Sequence, residues 1–228
     1  MKKINIVLGL ILMMAISAIA QDKELRDLKK FNKVKVGQAI TVHLKQGSEE
    51  RVEVEVKGAS LEAVVTEVSA DNTLTIKMNQ GNFRNVSAKV YVTFTSLEGI
   101  FASSASEVHA DGMIKSDRLE IKVSSAAEVD VAIDAKKLTA SISSSGDLNI
   151  SGKVEEMDFS TSSAGEIDAY DLSAEQVTAK CSSGSEAKVN VSKGLDAKAS
   201  SGASIRYKGN PARMEVNSSS GGSVKKID

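Results

Sequence analysis

The chain is 228 residues long and carries 29 basic against 30 acidic side chains, for a formal net charge of −1. So even and mixed a balance gives no electrostatic case for nucleic acid or for an anionic membrane surface, and a single cysteine excludes an internal disulfide. Tryptophan is absent and aromatics make up only 4% of the residues, so platforms for stacking on bases or rings are scarce.

The opening MKKINIVLGLILMMAISAIA has the parts of an export signal. Lys2 and Lys3 form a basic start, Ile6 to Ile16 an apolar run too short for a membrane span, and Ala18-Ile19-Ala20 a small-residue cleavage site. Residues 1–20 are therefore expected to be removed, and no later segment is apolar enough to cross a bilayer as a helix. The mature chain from Gln21 is expected outside the cytoplasm, in the periplasm or at the cell surface. Residues 21–30, QDKELRDLKK, are charged and without apolar period, which predicts a flexible leader.

From Phe31 a period of two takes over. Val34, Val36, Ile40, Val42 and Leu44 alternate with polar residues, and Arg51–Lys57 (RVEVEVK) reads as a half-buried strand. Ser60–Val65 predicts one capped helical turn, Asp71-Asn72 a hairpin between Thr66–Ala70 and Thr73–Met78, and Lys89–Phe94 a strand. Residues 31–98 are thus an irregular β segment, either a set of first, irregular coils or a cap on the coils after it.

Residues 99–228 are a repeat. The motifs SSASEVH, SSAAEVD, SSSGDLN, SSAGEID, SSGSEAK, SSGASIR and SSGGSVK begin at Ser103, Ser124, Ser143, Ser162, Ser182, Ser200 and Ser219, separated by 21, 19, 19, 20, 18 and 19 residues. Leu119, Leu138, Met157, Val177, Leu195 and Met214 stand five residues before the serine pairs; Val108, Val129, Leu148, Ile167, Ala187, Ile205 and Val224 stand five after. A unit of this length cannot bury its apolar face alone, whereas a stack of identical units buries it continuously. The expected fold is all-β: a parallel β-solenoid of about seven coils, roughly 34 Å long at about 4.8 Å per coil. A slip near Leu97 suggests a bulge at Gly99.

In such a stack the serine pairs are corners, small because neighbouring coils are close, with glycine at the third or fourth place (Gly146, Gly165, Gly184, Gly202, Gly221) supplying a left-handed conformation. Catalysis would need a base within reach, and His43 and His109 are isolated in the sequence and not repeated. Cys181 shares an inward column with Val123, Ile142, Thr161 and Ala199, which reads as a buried thiol. The acid after each turn is the remaining chemical signal. Glu107, Glu128, Asp147, Glu166 and Glu186 form one column, and Asp130, Asn149 and Asp168 form another before Lys188, Arg206 and Lys225 take over. Neighbouring carboxylates repel by about 1 kcal/mol even in water. Either a solvated acidic stripe or a hard cation such as calcium, on Glu128, Asp130, Asp147, Glu166 and Asp168, answers that repulsion. No other cofactor is indicated.

The recurring SS[AGS][GAS][DE] turns, as in Ser143–Asp147 and Ser162–Glu166, together with strands such as Leu138–Ala140 and the opening Phe31–Val36 and Ile40–Gly47, resemble the putative auto-transporter adhesin family defined by the head GIN domain, a domain of unknown function in exported bacterial proteins. The resemblance covers nearly all of 31–228. It implies an all-β repeat on an exported protein and brings no catalytic residues. The expected function is that of a non-enzymatic envelope or cell-surface protein that adheres to a glycan or an envelope protein. Its rivals are a carbohydrate-active β-helix enzyme and a self-assembling structural protein.

Overall fold

A computed structural model describes residues 22–81, 83 and 85–227; the expected signal segment 1–20 lies outside the described residues. The chain forms the parallel β-solenoid that the repeats predict. Five long strands, β9 (Glu107–Val123), β10 (Glu128–Ile142), β11 (Asp147–Thr161), β12 (Glu166–Cys181) and β13 (Glu186–Ala199), each wrap round one coil and pair in parallel with the next. Each bends once. In β10 the inward residues are Val129, Val131, Ile133 and Ala135, then Leu138, Ala140 and Ile142. Lys136 and Lys137 both face out, so the alternation breaks there and the strand turns an elbow from a first sheet into a second. β14 (Ser204–Lys208) and β16 (Ser223–Lys226) complete the first sheet, and β15 (Arg213–Ser218) pairs with β13 in the second.

The repeat columns become core layers. Val108, Val129, Leu148, Ile167, Ala187 and Ile205 are fully buried, as are Leu119, Leu138, Met157, Val177 and Leu195. At the last coil the column opens: Met214 is 47% and Val216 43% exposed.

Each serine corner is a tight turn in which two successive residues have positive φ, for example Ser144 at 50° and Ser145 at 57°. Backbone carbonyls accept from amides at each corner, and at the first the Ser103 N–H also donates to Ser106 Oγ at 3.1 Å. The Gly146 N–H donates to Ser143 O at 2.9 Å, and the Ser145 N–H donates to Ser163 O of the next coil at 3.1 Å. The left-handed places are thus the second and third. Gly184, Gly202 and Gly221 occupy the third, but Gly146 and Gly165 sit fourth without positive φ. What the fourth place needs is room, because a Cβ on Gly146 would lie 2.8 Å from the carbonyl oxygen of Val123.

Unequal repeat spacings are absorbed in one part of the coil. The β9–β10 register moves from a 21-residue to a 19-residue offset between Asp130 and Ala132, and the β11–β12 shift and the first β12–β13 shift fall at the equivalent stretch, with a second β12–β13 shift at the elbow between Ala174 and Gln176. The extra residues of the 21-residue unit loop out at 110–112; the irregularity expected near Gly99 is a separate feature, in which Leu97 is buried and Glu98 exposed although Glu98 precedes the partner of Glu120. β8 (Gly99–Ala102) pairs with β9 without a shift.

The N-terminal segment is less regular. β2 (Lys33–Val36) and β3 (Thr41–Gln46) flank a turn at Gly37–Ile40 in which Gln38 and Ala39 have positive φ, so they form a coil with a corner of the repeat type but no serine. The Ala39 N–H donates to Ser104 O, as the corners do to one another. β6 (Thr73–Met78) and β7 (Ser87–Phe94) form a second such coil. β2 lies between β6 and β8, and β3 lies between β7 and β9, so the earlier coil is inserted between two later ones. β4 (Arg51–Lys57) and β5 (Val64–Val68) pair antiparallel with β7 and β6 and close that end.

Two local expectations change. Asp22–Arg26, expected as a leader, forms β1, antiparallel to β4: its backbone completes a sheet edge, and Lys23 pairs with Glu55 at 2.8 Å. Of the helical turn expected at Ser60–Val65, only Leu61–Ala63 is a 3-10 turn, because Val64 and Val65 are already paired with Met78 and Lys77.

Candidate functional site

The first sheet turns a flat outward face to solvent, and cross-strand register converts its side chains into columns. One runs Lys89, Thr41, Glu107, Glu128, Asp147, Glu166, Glu186, Ser204, Ser223 across β7, β3, β9 to β14 and β16. Its neighbour runs Tyr91, His43, His109, Asp130, Asn149, Asp168, Lys188, Arg206, Lys225. Along the axis the second column passes from rings to acids to bases.

The acids expected as a cation column, Glu128, Asp130, Asp147, Glu166 and Asp168, do stand side by side. Lys188 reaches into their far end: its Nζ lies 3.0 Å from Glu166 and 3.1 Å from Asp168, and these hydrogen bonds, Glu166 first, hold its pKa well above the usual lysine value. Arg206 pairs with Glu186 at 2.6 Å. Asp147, with no lysine of its own, has its carboxyl pushed up, first by partial burial and then by Glu166 and Glu128 on either side. Among the described residues, no three or more His, Cys, Asp or Glu side chains converge as a metal would require. Lys188 and Arg206 supply counter-charge to Glu166, Asp168 and Glu186.

At the other end of the face, the structure brings together residues that sequence spacing separates. His43 and His109 are cross-strand partners, with ring centroids 5.7 Å apart. Tyr91 stacks on His43 at 5.2 Å and an interplanar angle of 14°, and the Lys23 Nζ lies over the Tyr91 ring, 5.3 Å from its centroid. Asp111 Oδ1 is 3.7 Å from His43 Nδ1, and Glu107 Oε2 is 3.9 Å from His109 Nε2. Nothing in the local sequence signals this cluster. Its one trace is the 21-residue spacing of the first repeat, whose extra residues include Asp111.

Two other features complete the chemical inventory. Along the elbow, outward residues of successive coils form ion pairs, Lys136–Asp117 at 2.7 Å and Lys153–Asp134 at 3.1 Å, in the walls of a shallow groove. Cys181 is buried, as expected, and burial raises its thiol to about 11, so it is not a thiolate at neutral pH.

Comparison with known proteins fits this architecture. No protein with a curated description matches the chain. A putative adhesin from Bacteroides fragilis NCTC 9343 is 23% identical with a TM-score of 0.83, over 91% of this chain and 97% of that one. A putative adhesin from Parabacteroides distasonis ATCC 8503 is 24% identical, with a TM-score of 0.73 and the same coverage. From that species too, a protein named a putative lipid binding protein is 21% identical, with a TM-score of 0.68 over 91% of this chain and 97% of that one. At these identities the likeness is one of fold. The sequence match is with a family: residues 30–211, from the approach to β2 to the loop before β15, fit the description "putative auto-transporter adhesin, head GIN domain", and the chain belongs to that family.

Proposed function

We propose that the protein is a non-enzymatic envelope or cell-surface protein that holds its partner, a surface glycan or an envelope protein, against the outward face of the first sheet. The observation that carries this reading is the register itself. Nine strands present polar side chains in two unbroken columns, at a spacing of about 4.8 Å, on a surface that needs no rearrangement to meet an extended partner. Pre-organisation of this kind limits the side-chain ordering that binding must offset.

The adhesin names of the family and of its structural neighbours support a binding role. So does the chemistry of the corners, where serines sit beside backbone and other serines while the imidazoles face Asp111 and Glu107. The lipid-binding name of one neighbour fits this chain less well, because the elbow groove is walled by ion pairs that an acyl chain would have to desolvate. The export signature of the first twenty residues agrees with a periplasmic or surface location.

Capture of native envelope components by mature protein (21–228) tests the reading. Wild type is expected to retain a glycan or protein ligand, and Glu128→Gln/Asp147→Asn/Glu166→Gln to lose about tenfold in affinity or more. Reversing Lys122 and Lys180 on the second sheet should leave binding unchanged. Loss only in the second-sheet variant would move the site to the other face, and no capture at all would overturn adhesion.

A further inference from the structure

His43 and His109 are the only two histidines of the chain. They are 66 residues apart in sequence and directly opposite each other on β3 and β9. Their ring centroids stand 5.7 Å apart at a tilt of 34°, with 26% and 33% of the side chains exposed. Two imidazoles sharing one ion through bonds of about 2.1 Å place their centroids roughly 5 Å apart, so the observed ring separation is close to that of a chelating pair, and ligation would require the rings to turn a nitrogen each toward one point.

A carboxylate attends each ring. Asp111 faces His43 Nδ1 at 3.7 Å and Glu107 faces His109 Nε2 at 3.9 Å. These separations are of ion-pair rather than hydrogen-bond length, so each carboxylate would close on its imidazole nitrogen as the other nitrogen turns to the ion, and the two carboxylates balance a divalent charge. Asp111 reaches this position only because the first repeat carries extra residues, which loop out at 110–112 around Gly112 at a φ of 107°. Glu107 is held toward the group by the hydroxyl of Thr41, which donates to it at 3.2 Å.

We propose that His43 and His109 form a chelating site for a divalent transition-metal ion of the zinc, nickel or copper class, with Asp111 and Glu107 orienting the imidazoles and water completing the coordination. Among the described residues no three protein donors converge on one point, which makes this an open two-imidazole site rather than a closed structural one. Imidazole ligation selects such ions against calcium and magnesium, which require oxygen donors. The site is independent of the adhesive reading, although it lies on the same face.

Titration of the mature protein with Cu(II), Ni(II) and Zn(II), followed by amide NMR and calorimetry, tests the proposal. Paramagnetic broadening by Cu(II) and Ni(II) is expected around His43, His109 and Tyr91. His43→Gln and His109→Gln should each abolish it, with melting temperatures showing that both variants fold. Asp111→Asn should weaken affinity roughly tenfold, as loss of a partner that orients a ligand does. Absence of broadening, broadening that survives His43→Gln, or displacement by equimolar calcium would each overturn the proposal, the last by assigning the ion to the carboxylates.

Discussion

Gly152 and Gly184 show at single residues how closely the coils approach. Gly152 has a φ of 105°, and a Cβ there would overlap the carbonyl oxygen of Ile133; Gly184 has a φ of 68° with nothing within 4 Å. Gly152→Ala is therefore expected to cost about 2–4 kcal/mol from strain and a clash the neighbouring backbone cannot yield to. Gly184→Ala should cost about 1 kcal/mol or less, since Ala126 and Ala164 already hold the same corner place at 57° and 58°. Urea midpoints of the two variants make the comparison. Asp147 gives a pH prediction. Its folded pKa is raised, so the folded state binds the proton more tightly and stability falls as pH rises through the window just above the ordinary aspartate value. Asp147→Asn should thus stabilise at pH 7 by a few tenths of a kcal/mol, a gain that vanishes in acid below that window. A gain that grew on acidification would contradict the assignment.

At the scale of the element, the serine motif marks most corners and misses one. Gly37–Ile40 makes the same turn with Gln38 and Ala39 in the left-handed places and Ile40 fourth, because what the corner requires is two successive positive φ values, and serine is only one way to meet that. Alternation located β3, β4, β6 and β7, since each has one face in the core. It could not locate β1, where charged residues on an edge strand are held by backbone pairing rather than by burial. The outward loop at 110–112 yields a prediction of its own. Removing Asp111 and Gly112 restores the 19-residue spacing and should change stability by less than about 1 kcal/mol, because loop length is a weak entropic term. The same deletion should weaken transition-metal binding as Asp111→Asn does. Thermal melts and metal titration of one deletion variant read both effects.

For the whole molecule, stability is a sum over stacked layers with unequal ends. One end is closed by antiparallel β4 and β5, and at the other the core columns reach solvent at Met214 and Val216. The same substitution in the same column should therefore depend on its coil. Leu138→Ala, fully buried, is expected to cost about 2–5 kcal/mol, and Met214→Ala about 1 kcal/mol or less. Equal losses in chemical denaturation would show that the last coil is covered in solution. The charge layout also belongs to this scale: rings, then acids, then bases, each short-range group offsetting its neighbours, as Lys188 does for Glu166 and Asp168.

Much of this architecture is legible in the amino-acid sequence. The period, the corners from Ser103 to Ser219, the inward columns and the adjacency of Glu128, Asp147 and Glu166 all derive from a local signal repeated at nearly constant spacing, because each coil pairs with the next and repeat distance then equals register. What only the tertiary structure decided is the order in which the first coils stack. β2 and β3 lie between strands that come later in the chain, so His43 meets His109 and Tyr91 although no repeat relates the three. Pairing between non-consecutive coils is set by which edges remain free once the antiparallel strands close the end, and that is a property of the assembled sheet that no local pattern encodes.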